Sequence, residues 1–278
     1  MVIQEDFAVL SDSYNDPETF KYIADTSKER YSEYKKAHHV WINDIEDGKF
    51  RDSLESVRKN KKIISAIKQQ FQGSSIYPVT EGDEIYWSAS PKEATGSDRS
   101  LVDCHYDSPF SIMPTGGVVY YRIIIAMNEN NSVTTIFPSE NKRVKMSTGD
   151  FHGLDYNKDW HCVEGSILPN NYRVLLKLHY LVVPQGTHQM WVDWVRFINV
   201  SWTKISRAAM RMSADPHTPI ESLVAMFVNF SRYVFNNINT ILIYLVGVFL
   251  VIFAISKRAF LTKKYRQGLN FSTRRYGR

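Results

Sequence analysis

VVYYRIIIAM, from Val118 to Met127, and YRVLLKLHYLVV, from Tyr172 to Val183, decide the fold class. Both are dominated by β-branched and aromatic residues, which suit a pleated, buried surface. Shorter runs of the same character lie around them: Ile76-Tyr77, Ile85 to Trp87, Val133 to Phe137, Arg143 to Met146 and His161 to Val163. Gly, Pro, Asn or Asp separates one run from the next, the punctuation of an all-β sandwich or barrel.

On either side of this region the period lengthens. Asp16-Pro17-Glu18 sets Pro near a first helical position, and Phe20, Ile23 and Ala24 follow at helical spacing. A second helix is expected over about Ser27 to Ile42. A third runs from Phe50 to Phe71, where Phe50, Leu54, Val57, Ile64, Ile67 and Phe71 share one face and Gly73 closes the segment. His38 and His39 fall on a helix surface in this reading. Beyond Pro184 helical spacing returns with Trp191, Trp194, Val195 and Ile198, then Val224, Phe227 and Val228.

A chain of 278 residues, 44% hydrophobic and 13% aromatic, is too apolar to be disordered, and two cysteines cannot staple a fold of this size. The formal net charge of +5 is concentrated at one end. Lys257, Arg258, Lys263, Lys264, Arg266, Arg274, Arg275 and Arg278 face no acid after residue 256, so the body is mildly acidic. No basic face interleaved with aromatics is present, and no nucleic-acid partner is expected.

The basic tail follows Tyr233 to Ser256, a run without charge whose centre, ILIYLVGVFLVIFAI, is almost wholly apolar. Roughly 20 such residues cross a ~30 Å hydrocarbon layer. Residues 236–256 are therefore expected to span a bilayer. The N-terminus, MVIQEDFAVL, has no signal-peptide pattern, which favours a tail-anchored protein with its body in the cytosol. The alternative is a lumenal body, because Lys and Arg beside a span prefer the cytosolic side. The expected organisation is a helical support over 1–74, a β core over 75–185, an amphipathic helical linker over 186–235, the span over 236–256 and a basic tail over 257–278. The aromatic stretch 190–235 is a candidate surface for membrane-protein partners.

Inside the β region stands His105-Tyr106-Asp107, with His161 and then Arg173 downstream. On a strand, residues i and i+2 share a face, so His-x-Asp can grip one ion, and a second His from a neighbouring strand completes the set. Two imidazoles and one carboxylate on one face of an octahedron leave positions open for a cosubstrate and O2, an arrangement suited to Fe(II). His152 is the rival for the downstream position, and His179 reads as a core histidine.

HYDSPF from His105, YRIIIAMN from Tyr121 to Asn128, TTIFP from Thr134 to Pro138, VKMSTGD from Val144 to Asp150, His161, and YRVLLKL from Tyr172 succeed one another in this order. Order and spacing resemble the 2-oxoglutarate and Fe(II)-dependent dioxygenases, prolyl 4-hydroxylase-like branch, over about residues 76 to 183. The resemblance implies a double-stranded β-helix (jelly-roll, cupin-like) core, to which the helical spacing and the apolar run read above add N-terminal helices and a C-terminal transmembrane helix. It implies that His105, Asp107 and His161 bind Fe(II) and that Arg173 pairs with the distal carboxylate of 2-oxoglutarate, whose fork-and-carboxylate match is bidentate. O2 is then the oxidant, with ascorbate a candidate auxiliary, and an unactivated C–H bond of a peptidyl proline or of a membrane-associated molecule the target.

The chain departs from that pattern in places. Ser132-Val133 stands where the family often has Gly-Gly, Ala126-Met127-Asn128 lacks the tyrosine hydroxyl, and the loop from His161 to Arg173 is about two residues longer. These departures support a rival reading, a catalytically inactive barrel serving a membrane assembly. A cupin-like Zn or Mn enzyme is a third. In such a core Cys104 and Cys162 face away from the metal and become neighbours. A cytosolic body leaves them as two apolar fillers, the expectation here, whereas a disulfide needs an oxidising compartment and reverses the topology.

Overall fold

The computed structural model describes residues 9–34, 38–89, 104–110, 113–165, 167, 171–214 and 218–236. The chain divides into two compact units, 1–208 and 209–278.

The first unit is built on two antiparallel sheets, a jelly-roll-like arrangement. Its strands are β1 (Leu10–Ser13), β2 (His38–Trp41), β3 (Ser74–Pro78), β4 (Glu84–Ala89), β5 (Val119–Ala126), β6 (Asn130–Phe137), β7 (Lys142–Met146), β8 (Asp150–Asp155), β9 (Cys162–Gly165) and β10 (Tyr172–Pro184). The larger sheet has the order β1-β8-β5-β10-β4-β2, and β3 pairs with the far end of β10. The smaller has the order β7-β6-β9. The two runs that decide the fold class are central neighbours: β10 pairs along β5 from Leu175↔Ala126 to Val182↔Val119.

Alternation along these strands sorts the side chains into two populations. Ile85 and Trp87 of β4, Tyr121, Ile123 and Ile125 of β5, and Val174, Leu176, Leu178 and Tyr180 of β10 form one hydrophobic face. Against it pack α1 (Pro17–Tyr31), α2 (Gly48–Arg58) and α3 (Lys61–Gln70) through Phe20, Ile23, Phe50, Leu54, Val57, Ile63 and Ile67. The opposite face, inside the barrel, carries Glu84 and Tyr86 of β4, Arg122 of β5, His152 of β8, and Arg173, Lys177 and His179 of β10. All of these residues are buried.

Local chemistry sets the helix ends. The Asp16 carboxylate accepts from the Thr19 amide at 3.3 Å and Pro17 occupies the first turn. Asp47 and Asn60 cap α2 and α3 in the same way. The Asn60 cap ends the helix expected to run unbroken from Phe50 to Phe71. The helix expected over Ser27 to Ile42 does not form: α1 extends to Tyr31, and His38–Trp41 instead pair with β4. His38 and His39 are thus strand residues, and His39 Nδ1 lies 3.1 Å from the buried Glu84 carboxylate.

A long helix, α4 (Gln189–Ala214), begins just after β10. Up to Ala208, this part of the stretch read as a linker lies on the barrel: Val195, Ile198, Asn199, Thr203 and Arg207 are buried, and Trp191 closes over Gly116. The second unit contains the end of α4 and α5 (Pro219–Asn236), whose Ile220, Leu223, Met226, Phe227 and Phe230 are exposed. Among the described residues no helix is long and apolar enough to cross a membrane. The expected span after residue 236 and the basic tail lie outside the described residues.

Candidate metal centre

His105 and His161 form an isolated antiparallel bridge in which each backbone amide donates to the other's carbonyl, at 2.8 and 3.1 Å. Directly opposed residues of an antiparallel pair project to the same side, and the two imidazole centroids are 4.6 Å apart. Asp107 lies two residues along from His105 and faces both rings. Its Oδ1 is 4.0 Å from His105 Nε2 and its Oδ2 is 4.0 Å from His161 Nε2. One donor atom from each of the three lies within 4.8 Å of the other two, and no other such group occurs among the described residues.

The three groups are near enough to converge on a single ion. His161 Nδ1 lies 3.0 Å from the Asp159 carbonyl. A carbonyl only accepts, so Nδ1 carries the proton and the Nε2 lone pair points at the site, the tautomer a metal requires. Burial lowers the His161 pKa, partly offset by Asp107, and keeps the ring neutral.

Burial alone opposes the charge of Asp107. The Arg122 guanidinium and the two imidazoles outweigh it and hold the carboxyl below the usual carboxylate range. Arg122 Nη1 donates to Asp107 Oδ2 at 2.6 Å, and its Nε donates to His179 Nε2 at 2.9 Å. The opposite nitrogen, His179 Nδ1, therefore carries the proton and faces Asp83 Oδ1 at 3.3 Å. Behind the segment that carries Asp107, Trp202 of α4 donates from Nε1 to the Asp107 carbonyl at 3.2 Å, and its ring meets Phe110 edge-on.

Arg173 lies on the interior face of β10, opposite Ser88 of β4. It is 8% exposed, its guanidinium carbon is 6.0 Å from the Tyr86 ring, and its buried Nε has no hydrogen-bond partner. A buried cation with an orphan donor is costly unless an anion completes it, and the site suits a carboxylate. Lys177 and Glu84, opposed across β10 and β4, come within 3.4 Å, and Arg207 of α4 grips Glu84 with Nε at 3.0 Å and Nη2 at 2.8 Å. Burial, reinforced by Arg207, pulls the Lys177 pKa down to about 7 against the attraction of Glu84.

The structure thus gathers His105, Asp107 and His161, and sets Arg173 on the interior face. His152 stays out of the cluster: it is buried on β8 with Nδ1 3.1 Å from Met146 Sδ. His179 is a core histidine, hydrogen-bonded at both ring nitrogens. Arg122, Lys177, Glu84, Arg207 and Trp202 had no role in the sequence reading. The available signal was a lone Arg or Lys within an otherwise apolar strand, since such residues are almost never fully buried unless paired. Cys104 and Cys162 are joined in a disulfide, which corrects the expectation of two apolar fillers.

No family model and no curated protein matches the chain. Solved structures do. The viral collagen prolyl hydroxylase of Paramecium bursaria chlorella virus-1, in complex with 2-oxoglutarate, is 9% identical, with 66% of this chain and 99% of that chain covered and a TM-score of 0.43. A prolyl 4-hydroxylase of Phytophthora capsici is 12% identical over 85% of this chain and 84% of its own, TM-score 0.45. The epimerase SnoN, with Fe3+, α-ketoglutarate and a nogalamycin compound, is 11% identical over 66% of this chain and 84% of its own, TM-score 0.44.

Proposed function

We propose that the first unit is an Fe(II)- and 2-oxoglutarate-dependent oxygenase that hydroxylates an unactivated C–H bond. The observation that carries this reading is the convergence of two imidazoles and one carboxylate, with His161 in the tautomer that leaves Nε2 unprotonated. Two His and one carboxylate hold an ion from one side and leave the other side open. When bound, iron supplies the activation of O2 at the expense of 2-oxoglutarate. The chain's own residues supply the geometry. Asp159 fixes the His161 ring, Arg122 and Trp202 fix Asp107, and Arg173 offers a charged donor to the far carboxylate of the cosubstrate.

Two features support placing the body on the oxidising side of a membrane, reversing the cytosolic expectation. A disulfide persists where thiols are not kept reduced. The basic residues after residue 256 would then lie on the cytosolic side, as the charge bias of membrane flanks favours. With residues 236–256 in the bilayer, the site would serve a peptide or a membrane-associated substrate. Sealed vesicles should protect the body from added protease; digestion of the body in intact vesicles would overturn this orientation.

One observation favours the silent-barrel reading, namely that Arg122 already occupies an oxygen of Asp107. Anaerobic titration with Fe(II), then 2-oxoglutarate, separates the two. An enzyme takes up one ion and, on admission of O2, converts 2-oxoglutarate to succinate slowly without prime substrate. A silent barrel does not. Arg173→Met is expected to leave metal uptake intact and to weaken 2-oxoglutarate by about 2 kcal/mol or more, roughly 30-fold, because the carboxylate loses a desolvated charged partner. Unchanged 2-oxoglutarate affinity would remove Arg173 from the site.

A further inference from the structure

We propose that the Cys104–Cys162 disulfide is the clamp that sets the separation of His105 and His161, so that retention of the metal depends on this pair being oxidised. The proposal deepens the oxygenase reading and rests on its metal site.

The cross-link joins the residue immediately before one ligand to the residue immediately after the other. It therefore straddles the same bridge that brings the imidazoles together. Side chains alternate across an extended backbone, so the sulfurs lie on the face opposite the rings and leave the ligand side clear. The clamp is needed because the two ligands are unequally held. His161 runs directly into β9, which is paired with β6 from Ile136↔Cys162 to Val133↔Gly165. His105 lies outside the named strands, and its pairing with His161 is an isolated bridge of two backbone hydrogen bonds. Where a continuous ladder would otherwise fix the register, the covalent link does so.

A preorganised site does not have to order its ligands when the ion arrives, and supporting residues of metal sites typically account for 10–100-fold in affinity. Reduction breaks the one S–S bond. Two electrons and two protons pass from a dithiol, which closes to its own disulfide, and two thiols result. His105 and Asp107 then stay near His161 without a covalent tie, through the lone bridge and through non-covalent contacts such as those of Arg122, Trp202 and the Tyr106–Trp160 ring pair.

The test uses the full chain and Co(II) as probe, with affinity read by calorimetry and the ligand set by the visible ligand-field spectrum. Wild type should bind one Co(II). The double variants Cys104→Ser/Cys162→Ser and Cys104→Ala/Cys162→Val should keep the wild-type far-UV circular dichroism, bind Co(II) about tenfold or more weakly, and show an altered spectrum. Wild type reduced with a dithiol, freed of it anaerobically and then given Co(II), should behave like the variants and recover on reoxidation with a disulfide oxidant. Unchanged affinity in a folded double variant overturns the clamp and leaves the metal reading standing. Failure of wild type to bind Co(II) overturns both. Loss of the far-UV signal in the variants and in the reduced chain alike assigns the bridge to the fold and also overturns the clamp.

Discussion

His161→Ala is expected to abolish stoichiometric binding of Fe(II) or Co(II), a loss larger than the 10–100-fold that removal of a mere supporting residue causes. The ring is the most firmly placed of the three candidate ligands: it is buried, its Nδ1 proton is committed to the Asp159 carbonyl, and it sits where β9 begins. Alanine keeps the backbone bonds of the bridge, so circular dichroism should be preserved while calorimetry registers no binding. His152→Ala is the control. That ring is buried against Met146 and outside the cluster, and its replacement should leave stoichiometry at one. Full binding by His161→Ala would remove the metal from this site and the oxygenase reading with it.

Arg207→Met should be the most destabilising of the single changes discussed here. Glu84 is fully buried and is held by both arms of Arg207, by Lys177 at 3.4 Å and by His39 Nδ1 at 3.1 Å. Burial strongly opposes the Glu84 charge, yet Arg207, with His39 and Lys177, keeps it ionised well below the ordinary pKa. His39 is itself held neutral by burial, its pKa pushed down to about 3, and Lys177, at about 7, is only partly charged at neutral pH. Without Arg207 the carboxylate loses its two charged hydrogen bonds and is left with Lys177 alone as counter-ion, whose charge Arg207 then no longer opposes. Breaking a buried pair from one side costs about 3–5 kcal/mol, which for a unit of this size lowers the melting temperature by roughly 6–20 °C. Glu84→Gln/Arg207→Met should regain part of that loss, because a neutral amide needs no counter-ion. A melting temperature within a degree or two of wild type in Arg207→Met would show the pair contributes little.

What the sequence discloses and what it hides follow one physical divide. Strands that are buried on both faces, such as β5 and β10, declare themselves by their β-branched and aromatic composition. β1, β2 and β8 do not: β1 and β2 are four residues long, and β8 holds Asp150, His152 and Gly153, so pairing with neighbours places them and local preference does not. The convergence of His105, Asp107 and His161 is legible because His-x-Asp is a local pattern with a fixed geometric meaning. The supports are illegible because they depend on register. Arg122 meets His179 only because those residues are opposite each other on β5 and β10, and Lys177 meets Glu84 for the same reason across β4. Arg207 is harder still, since a helical Arg reads as a solvated face until the helix is known to lie against the sheet. The break at Asn60 was visible as a capping residue, and the hydrophobic period across it concealed the cap.

The docking of α4 also defines where the molecule can be trimmed. A fragment ending with β10 at Pro184 would keep every proposed ligand and still lose the indole behind Asp107 and the guanidinium under Glu84. Expression boundaries for a body that carries the intact centre should therefore extend through Ala208. By the same logic, cleavage between Thr187 and Ala208 would separate the brace from the His105, Asp107 and His161 cluster, whereas cleavage beyond Ala208 would leave the two together.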